Sequence, residues 1–349
     1  MTQLSYGALD DAARNYDAVL YLSFGGPEGP DDVLPFLENV TRGRGVPRER
    51  LEEVSSHYQF FGGVSPINSL NRAVIGALRE ELRSNGPDLP VYWGNRNWHP
   101  MLTTTMKQMR DDGVQRVVAF VTSAYSSYSG CRQYREDVAR AQSEVGDGAP
   151  RVDKLRVFYN HPGFIEPQVE KVNVALEAIP EDRRRAARLV FTAHSVPTRM
   201  ADTSSYTQQI SEASRLVAER LDGDHDWDLV WQSRSGPPHV PWLEPDIVDH
   251  ITKVHSAGID DLVVVPVGFV ADHLEVLFDL DVQAARTAAR LGINMVRAEA
   301  VGAHPRYVRM IRDLIVERMT ARPDRVALGD GGASHDICGA TCCPAPGDA

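Results

Sequence analysis

The stretch Leu189-Val190-Phe191-Thr192-Ala193-His194-Ser195-Val196-Pro197 carries the pattern that decides the fold. Its first five residues are apolar or β-branched without polar alternation, which is typical of a strand buried on both faces of a parallel sheet. His194 then introduces a polar group, and Pro197 biases the backbone of Val196 away from a helix. Because ligand crevices lie beyond the carboxyl ends of parallel strands, this pattern predicts a working residue at the sheet edge.

Six further segments share this pattern of short, apolar and β-branched residues. Longer amphipathic stretches separate them, and an alternation of buried strands with helices predicts parallel α/β layers. The predicted strands, besides the one quoted, are residues 18–24, 91–95, 117–122, 156–159, 227–232 and 262–267, and the predicted helices include residues 71–84, 132–144, 167–178 and 205–221.

The length of the chain predicts two domains, because 349 residues exceed the usual size of one hydrophobic core. The stretch Gly146-Asp147-Gly148-Ala149-Pro150 suits a linker between them. We therefore expect an amino-terminal domain over residues 1–150 and a carboxyl-terminal domain over 151–320. A tail over 321–349 is rich in Gly, Ala, Asp and Pro, which predicts disorder, but it also carries three cysteines.

Composition excludes several classes of function. A formal charge of −11 argues against a broad surface for nucleic acid or anionic membrane, since both require a basic footprint. No apolar run approaches the roughly 20 residues that span a bilayer. The first residues lack the basic and apolar regions of a secretory signal. We expect a cytoplasmic protein that binds no nucleic acid and does not span the membrane.

Four cysteines, which are few for this length, do not suggest a disulfide scaffold. In a reducing compartment, clustered thiols indicate metal binding. Four thiolates are the common requirement of [2Fe–2S] clusters and of structural zinc sites, so the thiols alone leave both open. The candidate ligands are Cys131, Cys338, Cys342 and Cys343.

His194 is the first candidate for catalysis. An imidazole held at the edge of the crevice can accept a proton or bind a divalent metal near neutral pH. A second candidate group begins the helix that follows strand 262–267. Glu275 and Asp279 are four residues apart and share one helix face, so they could pass a hydrated cation towards His194. Oxygen and imidazole donors suit Fe²⁺ in transit, because thiolates would hold it too tightly.

Each candidate also has a structural alternative. His194 could be a hydrogen-bonded loop histidine, and Glu275 could complete a capping pattern with Asp272. The arginines at positions 42, 44, 48 and 50 could hold carboxylates of a ligand or form a solvated turn. The stretch 60–66, Phe-Phe-Gly-Gly-Val-Ser-Pro, could form an apolar lip over a large planar ligand. No nucleotide-binding motif is favoured.

Together these residues resemble the ferrochelatase family over residues 18–319. The likeness is carried by Ser23-Phe24-Gly25-Gly26-Pro27, Gly62-Gly63-Val64-Ser65-Pro66, the stretch 191–197, Gln232-Ser233-Arg234 and the stretch 268–275. The combination is specific, although each motif alone is weak. The resemblance implies two Rossmann-like, chelatase-type domains, each a parallel sheet flanked by helices, with a porphyrin cleft between them.

The resemblance also implies roles for single residues. His194 looks like the histidine that receives pyrrole protons or binds the incoming metal, and Glu275 looks like its acidic partner, with Asp279 on the metal path. Positions similar to porphyrin contacts of the family are Phe24, Arg42, Ser65 and Tyr134.

The cysteine arrangement resembles that of the actinobacterial ferrochelatases that carry a [2Fe–2S] cluster. That likeness implies coproporphyrin III and ferrous iron as substrates and Fe-coproporphyrin III as the product, within haem biosynthesis. It also implies transient contact with neighbouring haem-pathway enzymes. The alternatives are a protoporphyrin IX ferrochelatase and a porphyrin or haem carrier without chemistry.

Overall fold

Two four-stranded parallel sheets form the frame of the protein, for which a computed structural model describes residues 15–43, 45–237, 239–320 and 324–345. The first sheet has the order β2-β1-β3-β4 and the second has the order β6-β5-β7-β8. The strands are β1 (Ala18–Ser23), β2 (Val91–Asn95), β3 (Arg116–Val121), β4 (Arg151–Lys154), β5 (Arg188–His194), β6 (Trp227–Gln232), β7 (Asp261–Val265) and β8 (Asn294–Arg297).

Helices cover both sheets. Those before β5 are α1 (Val33–Val40), α2 (Arg48–Phe60), α3 (Ile67–Asn85), α4 (Leu102–Asp111), α5 (Gln133–Val145), α6 (Pro162–Glu177) and α7 (Glu181–Arg184). Those after it are α8 (Thr198–Asp202), α9 (Tyr206–Ala218), α10 (Ile247–Ser256), α11 (Leu274–Val276), α12 (Ala285–Leu291) and α13 (Pro305–Thr320). Two π-helical segments, Tyr128–Arg132 and Leu277–Ala284, interrupt the regular helices.

The central strands are buried as the sequence predicts. Every residue of β1 and β7 is buried, and β5 is buried except at its two ends. Burial on both faces removes the polar alternation of a half-exposed strand, which is why these strands read as continuous apolar runs. The predicted fold class, two parallel-sheet domains with flanking helices, is confirmed.

Three details differ from the sequence predictions. Residues 156–159 form no strand; instead, β4 pairs with β3 in parallel, with Arg116 opposite Arg151. Residues 157–159 are apolar because they are buried in the main hydrophobic core, and a strand pattern cannot be distinguished from such burial. β8 was not predicted from the sequence, because its residues are only partly buried. Because β4 belongs to the first sheet, that sheet extends to Lys154, beyond the expected domain boundary at Pro150.

The last helix connects the two halves of the chain. α13 packs against both α6 and α3, so the chain returns to the first sheet after completing the second. No helix in the described ranges combines the length and apolar character that a membrane crossing requires. The two sheets thus share a core, and their carboxyl edges can present side chains to one cleft.

Candidate functional site

His194 lies at the carboxyl end of β5, where the sequence predicts it. Its Nδ1 is 2.5 Å from the backbone oxygen of Ser195, and its Nε2 is 3.9 Å from Oε2 of Glu275. A carbonyl oxygen can only accept, so Nδ1 carries the proton and Nε2 of the neutral ring has a free lone pair. Side-chain exposures of 34% for His194 and 48% for Glu275 leave this pair accessible from the cleft.

The backbone around His194 is fixed from two sides. The hydroxyl of Tyr206 donates to the backbone oxygen of His194 at 2.9 Å. The amide of Gly268 donates to the backbone oxygen of Thr192 at 3.0 Å. A Cβ at position 268 would lie 2.7 Å from Cα of Ala193, so only glycine permits this close approach. The approach brings the segment that carries Glu275 beside the end of β5.

Asp279 completes an acidic group on the same side of the cleft. It accepts hydrogen bonds from the hydroxyl of Ser233 and, at 3.4 Å, from Nε2 of Gln232. Burial, with a further contribution from the charge of Glu275, raises the pKa of Asp279 to about 6. Ser233 has φ of 60°, a conformation that residues other than glycine adopt uncommonly.

Glu275 does not serve as a helix cap. The residue at the N-cap of α11 is His273, and Asp272 turns away from the helix to accept from Arg297 at 2.8 Å and from the amide of Ala300 at 3.2 Å. The capping alternative is therefore wrong, since Asp272 and Glu275 do not exchange the bonds of a capping box. The carboxylate of Glu275 instead faces the imidazole.

The first half of the chain closes over this acidic group. His57 in α2 stacks on Phe278, with ring centroids 3.8 Å apart and planes 14° from parallel. Leu274, in α11, belongs to the same apolar cluster as Phe36 and Tyr58 of the first half. α2 therefore packs against the π-helical segment Leu277–Ala284, which contains Asp279. Two halves of the chain thus enclose the candidate metal path.

Phe24 and Ser65 lie at the loop that follows β1. Phe24 follows β1, is partly buried and packs edge-on against Phe36 at 6.2 Å. Ser65 is buried, and its amide donates to the backbone oxygen of Pro27 at 2.9 Å. A Cβ at Gly26 would lie 2.8 Å from Cβ of Ser65, so the motifs around residues 26 and 65 are in direct contact.

The arginine segment is only partly available to a ligand. Arg48 pairs with Glu52 at 3.0 Å, and Arg50 pairs with Glu53 at 2.6 Å, both on the exposed face of α2. Arg42 is exposed on the turn that follows α1. Arg44 lies outside the described residues. Of the positions similar to porphyrin contacts, Arg42 is thus the exposed cation.

Tyr134 is buried rather than exposed to the cleft. Its ring packs under the guanidinium of Arg96, 4.7 Å from the ring centroid, and burial raises the pKa of its hydroxyl. Arg96 pairs with Asp137 at 2.9 Å, and its guanidinium also lies 5.8 Å from the ring of Phe24. Arg96 thus contacts both aromatic rings. It was not predicted from the sequence because it does not fall in a recognised motif.

The four cysteines come together, although Cys131 and the tail are far apart in sequence. Sγ of Cys131 lies 3.9 Å from Sγ of Cys338, and Sγ of Cys342 lies 3.8 Å from Sγ of Cys343. Ligand sulfurs on one tetrahedral metal with bonds of about 2.3 Å are about 3.8 Å apart. Both sulfur pairs fit this spacing. All four thiols are free cysteines, so no disulfide competes for them.

Basic side chains support this cysteine centre. Arg135, one helical turn after Cys131, donates to the backbone oxygens of Cys338 at 3.4 Å and Cys342 at 3.3 Å. The hydrogen bond between Cys131 and Cys338, aided by the charges of Lys154 and Arg135, lowers the pKa of the Cys131 thiol below its usual value. Thiolate is the form that binds metal, so Cys131 is prepared as a ligand.

A further donor lies beside the centre. Nε2 of His335 is 4.0 Å from Sγ of Cys342, and the donor atoms of His335, Cys338 and Cys342 lie within 4.8 Å of one another. Three such donors also suit zinc, so the ligand set by itself does not select one metal. His335 was not among the residues predicted from the sequence.

The tail is held by contacts that need no metal. Nδ2 of Asn160 donates to the backbone oxygens of Leu328 and Gly332, at 3.1 and 2.8 Å. Asp336 accepts from Arg325 at 2.6 Å and lies 3.7 Å from Arg318. These side chains dock the tail on the body of the protein, which composition alone did not predict.

Comparisons with known proteins agree with this architecture. The ferrochelatase family model matches residues 16–319. A protein of Streptomyces griseus subsp. griseus named "Coproporphyrin III ferrochelatase" is 52% identical, over 95% of this chain and 94% of the relative. A "Ferrochelatase" of Rhodopirellula baltica is 53% identical, over 94% of this chain and 93% of its own. The solved structure "SirB from Bacillus subtilis with Fe3+" shares the fold, with a TM-score of 0.52, 13% identity, and coverage of 87% of this chain and 96% of its own. This chain therefore belongs to the ferrochelatase family.

Proposed function

We propose that the protein inserts Fe²⁺ into coproporphyrin III and releases Fe-coproporphyrin III and two protons. The observation that carries the proposal is the pair formed by His194 and Glu275, 3.9 Å apart at the carboxyl edge of the second sheet. The choice of porphyrin is supported by the relatives named "Coproporphyrin III ferrochelatase", which are about half identical over nearly the whole chain.

The proposed mechanism uses the two kinds of group for different tasks. Nε2 of His194 has a free lone pair and accepts a proton that leaves a pyrrole nitrogen. Glu275 and Asp279 supply negative charge that attracts the dication, with Asp279 on the metal path behind Glu275. Two protons leave as one dication enters, so the porphyrin core keeps its charge. Iron is a substrate here and leaves with the product.

We propose that the first half of the cleft binds the macrocycle. Phe24 offers an apolar ring, and Arg42 and Ser65 are proposed contacts for propionate groups. Tyr134 is a weaker candidate for direct contact because it is buried against Arg96. We propose that Tyr134 acts by supporting Arg96.

We further propose that Cys131, Cys338, Cys342 and Cys343 hold a [2Fe–2S] cluster. The support is a complete set of four thiols with two sulfur pairs at ligand spacing, beside the positive charges of Arg135 and Lys154. Cys131→Ser should abolish the visible absorption of the purified protein. A colourless wild type with one equivalent of zinc would overturn the cluster assignment and favour a structural zinc site.

The reaction is tested by anaerobic incubation of the protein with Fe²⁺ and either coproporphyrin III or protoporphyrin IX. The metalloporphyrin spectrum should develop faster with coproporphyrin III. His194→Ala should bind the porphyrin but lose insertion by about two to four orders of magnitude, the usual contribution of a general base. His255→Ala, on the exposed face of α10, is the matched control. Normal turnover by His194→Ala would overturn the mechanism, and preference for protoporphyrin IX would overturn the substrate.

We also propose that the enzyme works in the cytoplasm, in transient contact with the haem-pathway enzymes that supply its porphyrin and consume its product. The support is chemical: a free porphyrin is a photosensitiser, so direct transfer of the porphyrin between enzymes limits damage by light and oxygen. Crosslinking in cells grown with and without iron would test this contact.

A further inference from the structure

One loop of the first half connects the cysteine centre with the second half of the protein. This segment, residues 125–131, which we name the bridging loop, begins after β3 and ends at Cys131. Near its start, the hydroxyl of Tyr125 donates to the backbone oxygen of Val267 at 2.7 Å, just beyond β7. At its other end, Cys131 contacts Cys338 of the tail.

Gln209, in α9 of the second half, makes a polar contact with Ser126, the second residue of this loop. Its Oε1 accepts from the amide of Ser126 at 2.7 Å, and its Nε2 donates to the hydroxyl of Ser126 at 3.1 Å. Only 8% of Gln209 is exposed. Tyr206 lies three residues earlier in the same helix and binds the backbone oxygen of His194. One helix therefore contacts both the bridging loop and the residue proposed to accept protons.

The bridging loop has little freedom between its two anchors. The amide of Cys131 donates to the backbone oxygen of Ser127 at 2.9 Å, and the amide of Gly130 donates to the Ser127 hydroxyl at 2.8 Å. A Cβ at Gly130 would lie 2.6 Å from the hydroxyl of Ser123. A displacement of Cys131 is therefore passed to Ser126, because the turn between them is closely packed.

We propose that Gln209 is a positioning residue that couples metal binding at the cysteine centre to porphyrin binding in the cleft. The proposal rests on the proposed function for the identity of both ligands. With metal bound, Cys131 is held by the tail, and Gln209 fixes the other part of the loop beside α9. Without metal, Cys131 loses that restraint, and the loop and α9 can shift relative to His194. Coupling of this kind is reciprocal, so porphyrin also helps retain the metal.

The test is a double-mutant cycle that measures porphyrin binding rather than turnover. Cys342→Ser removes the metal while leaving the bridging loop unchanged, and metal content verifies the loss. The four proteins are the wild type, Cys342→Ser, Gln209→Ala and the double variant. The Kd for coproporphyrin III, without added iron, is measured by fluorescence quenching.

Loss of metal should weaken porphyrin binding about tenfold, within the usual range of coupled sites. Gln209→Ala should weaken binding by a similar factor, and Cys342→Ser should then add little. Gln208→Ala, an exposed neighbour in α9, should leave the tenfold response to metal loss intact. A folding defect in Gln209→Ala would obscure this result, so Ser126→Ala serves as a milder second variant. It removes one of the two hydrogen bonds and should give an intermediate effect.

Two results would overturn the proposal. One is a Kd that does not change when the metal is lost; the other is independent action, in which the double variant binds about a hundredfold more weakly than the wild type. A failure of the proposed function can be distinguished from these results. A protein that shows the expected pattern of Kd values for coproporphyrin III but inserts no iron would contradict only the proposed iron insertion. Absence of binding to coproporphyrin III and to protoporphyrin IX alike would contradict both proposals.

Discussion

The substitution Asp279→Asn should stabilise the protein at neutral pH. Burial raises the pKa of this carboxyl from 3.8 to about 6. The folded state therefore keeps the proton at pH values where the unfolded state has already lost it. Wild-type stability, as far as Asp279 determines it, is highest below about pH 4, falls as the pH rises to about 6, and is constant above that.

The size of the effect follows from this difference of about two pH units, each equivalent to about 1.4 kcal/mol. Above pH 6, the ionised Asp279 should cost the fold about 3 kcal/mol. Asparagine has no charge to bury and keeps a carbonyl oxygen that can accept from Ser233. The free energy of unfolding of Asp279→Asn should therefore exceed that of the wild type by about 3 kcal/mol at pH 7.5 and by about half as much at pH 5.

Urea denaturation at the two pH values, with a chelator present to keep Fe²⁺ off the site, measures this difference. Asp202→Asn, at the exposed end of α8, controls for removing one carboxylate from the chain. A variant less stable than the wild type at pH 7.5, or a difference that does not shrink at pH 5, would refute the reasoning. Confirmation would show that Asp279 is kept at the expense of stability, as expected of a residue that serves the metal.

Three other substitutions test the frame around the site. Arg156→Met breaks a buried ion pair with Glu317, whose atoms are 2.7 Å apart, and should lower the free energy of unfolding by about 3–5 kcal/mol. The double variant Arg156→Met, Glu317→Leu should recover most of this lost stability, as measured by urea denaturation. Gly268→Ala should displace the end of β5 and reduce kcat for iron insertion about a hundredfold, with little change in the porphyrin Kd. Arg135→Met should shorten the lifetime of the visible chromophore under chelation, whereas Arg135→Lys should retain part of it.

Most of the fold was predictable from local sequence patterns, and each wrong or missing strand prediction has a local cause. Buried parallel strands leave a clear signal, so β2 and β6 occur at the predicted residues. The apolar residues 157–159 gave the same signal because a segment in the core and a buried strand have the same composition. β8 is partly buried on all its residues and lacks that signal.

The candidate site was predictable only where its residues fall in motifs. His194 and Glu275 both follow strands, so the carboxyl-edge rule brings them together. Arg96 and Gln209 do not fall in a recognised motif. Their partners, Asp137 and Ser126, are also distant from them in sequence. Packing within the first half sets the contact of Arg96 with Asp137, and packing between the two halves sets the contact of Gln209 with Ser126. A single sequence contains no periodicity that would reveal them.

The two sheets have the same strand order but present different chemistry at their carboxyl edges. The first sheet ends near Phe24, which offers an apolar ring and packs against Arg96, whose charge is paired with Asp137. The second ends at His194, with Glu275 and Asp279 beside it, which offer a lone pair and negative charge. We propose that the apolar ring at the first edge receives the planar macrocycle and that the negative charge at the second edge attracts the dication. On this proposal the repeated fold brings each substrate to a different sheet edge, and the raised pKa of Asp279 results from burying its carboxyl beside Glu275.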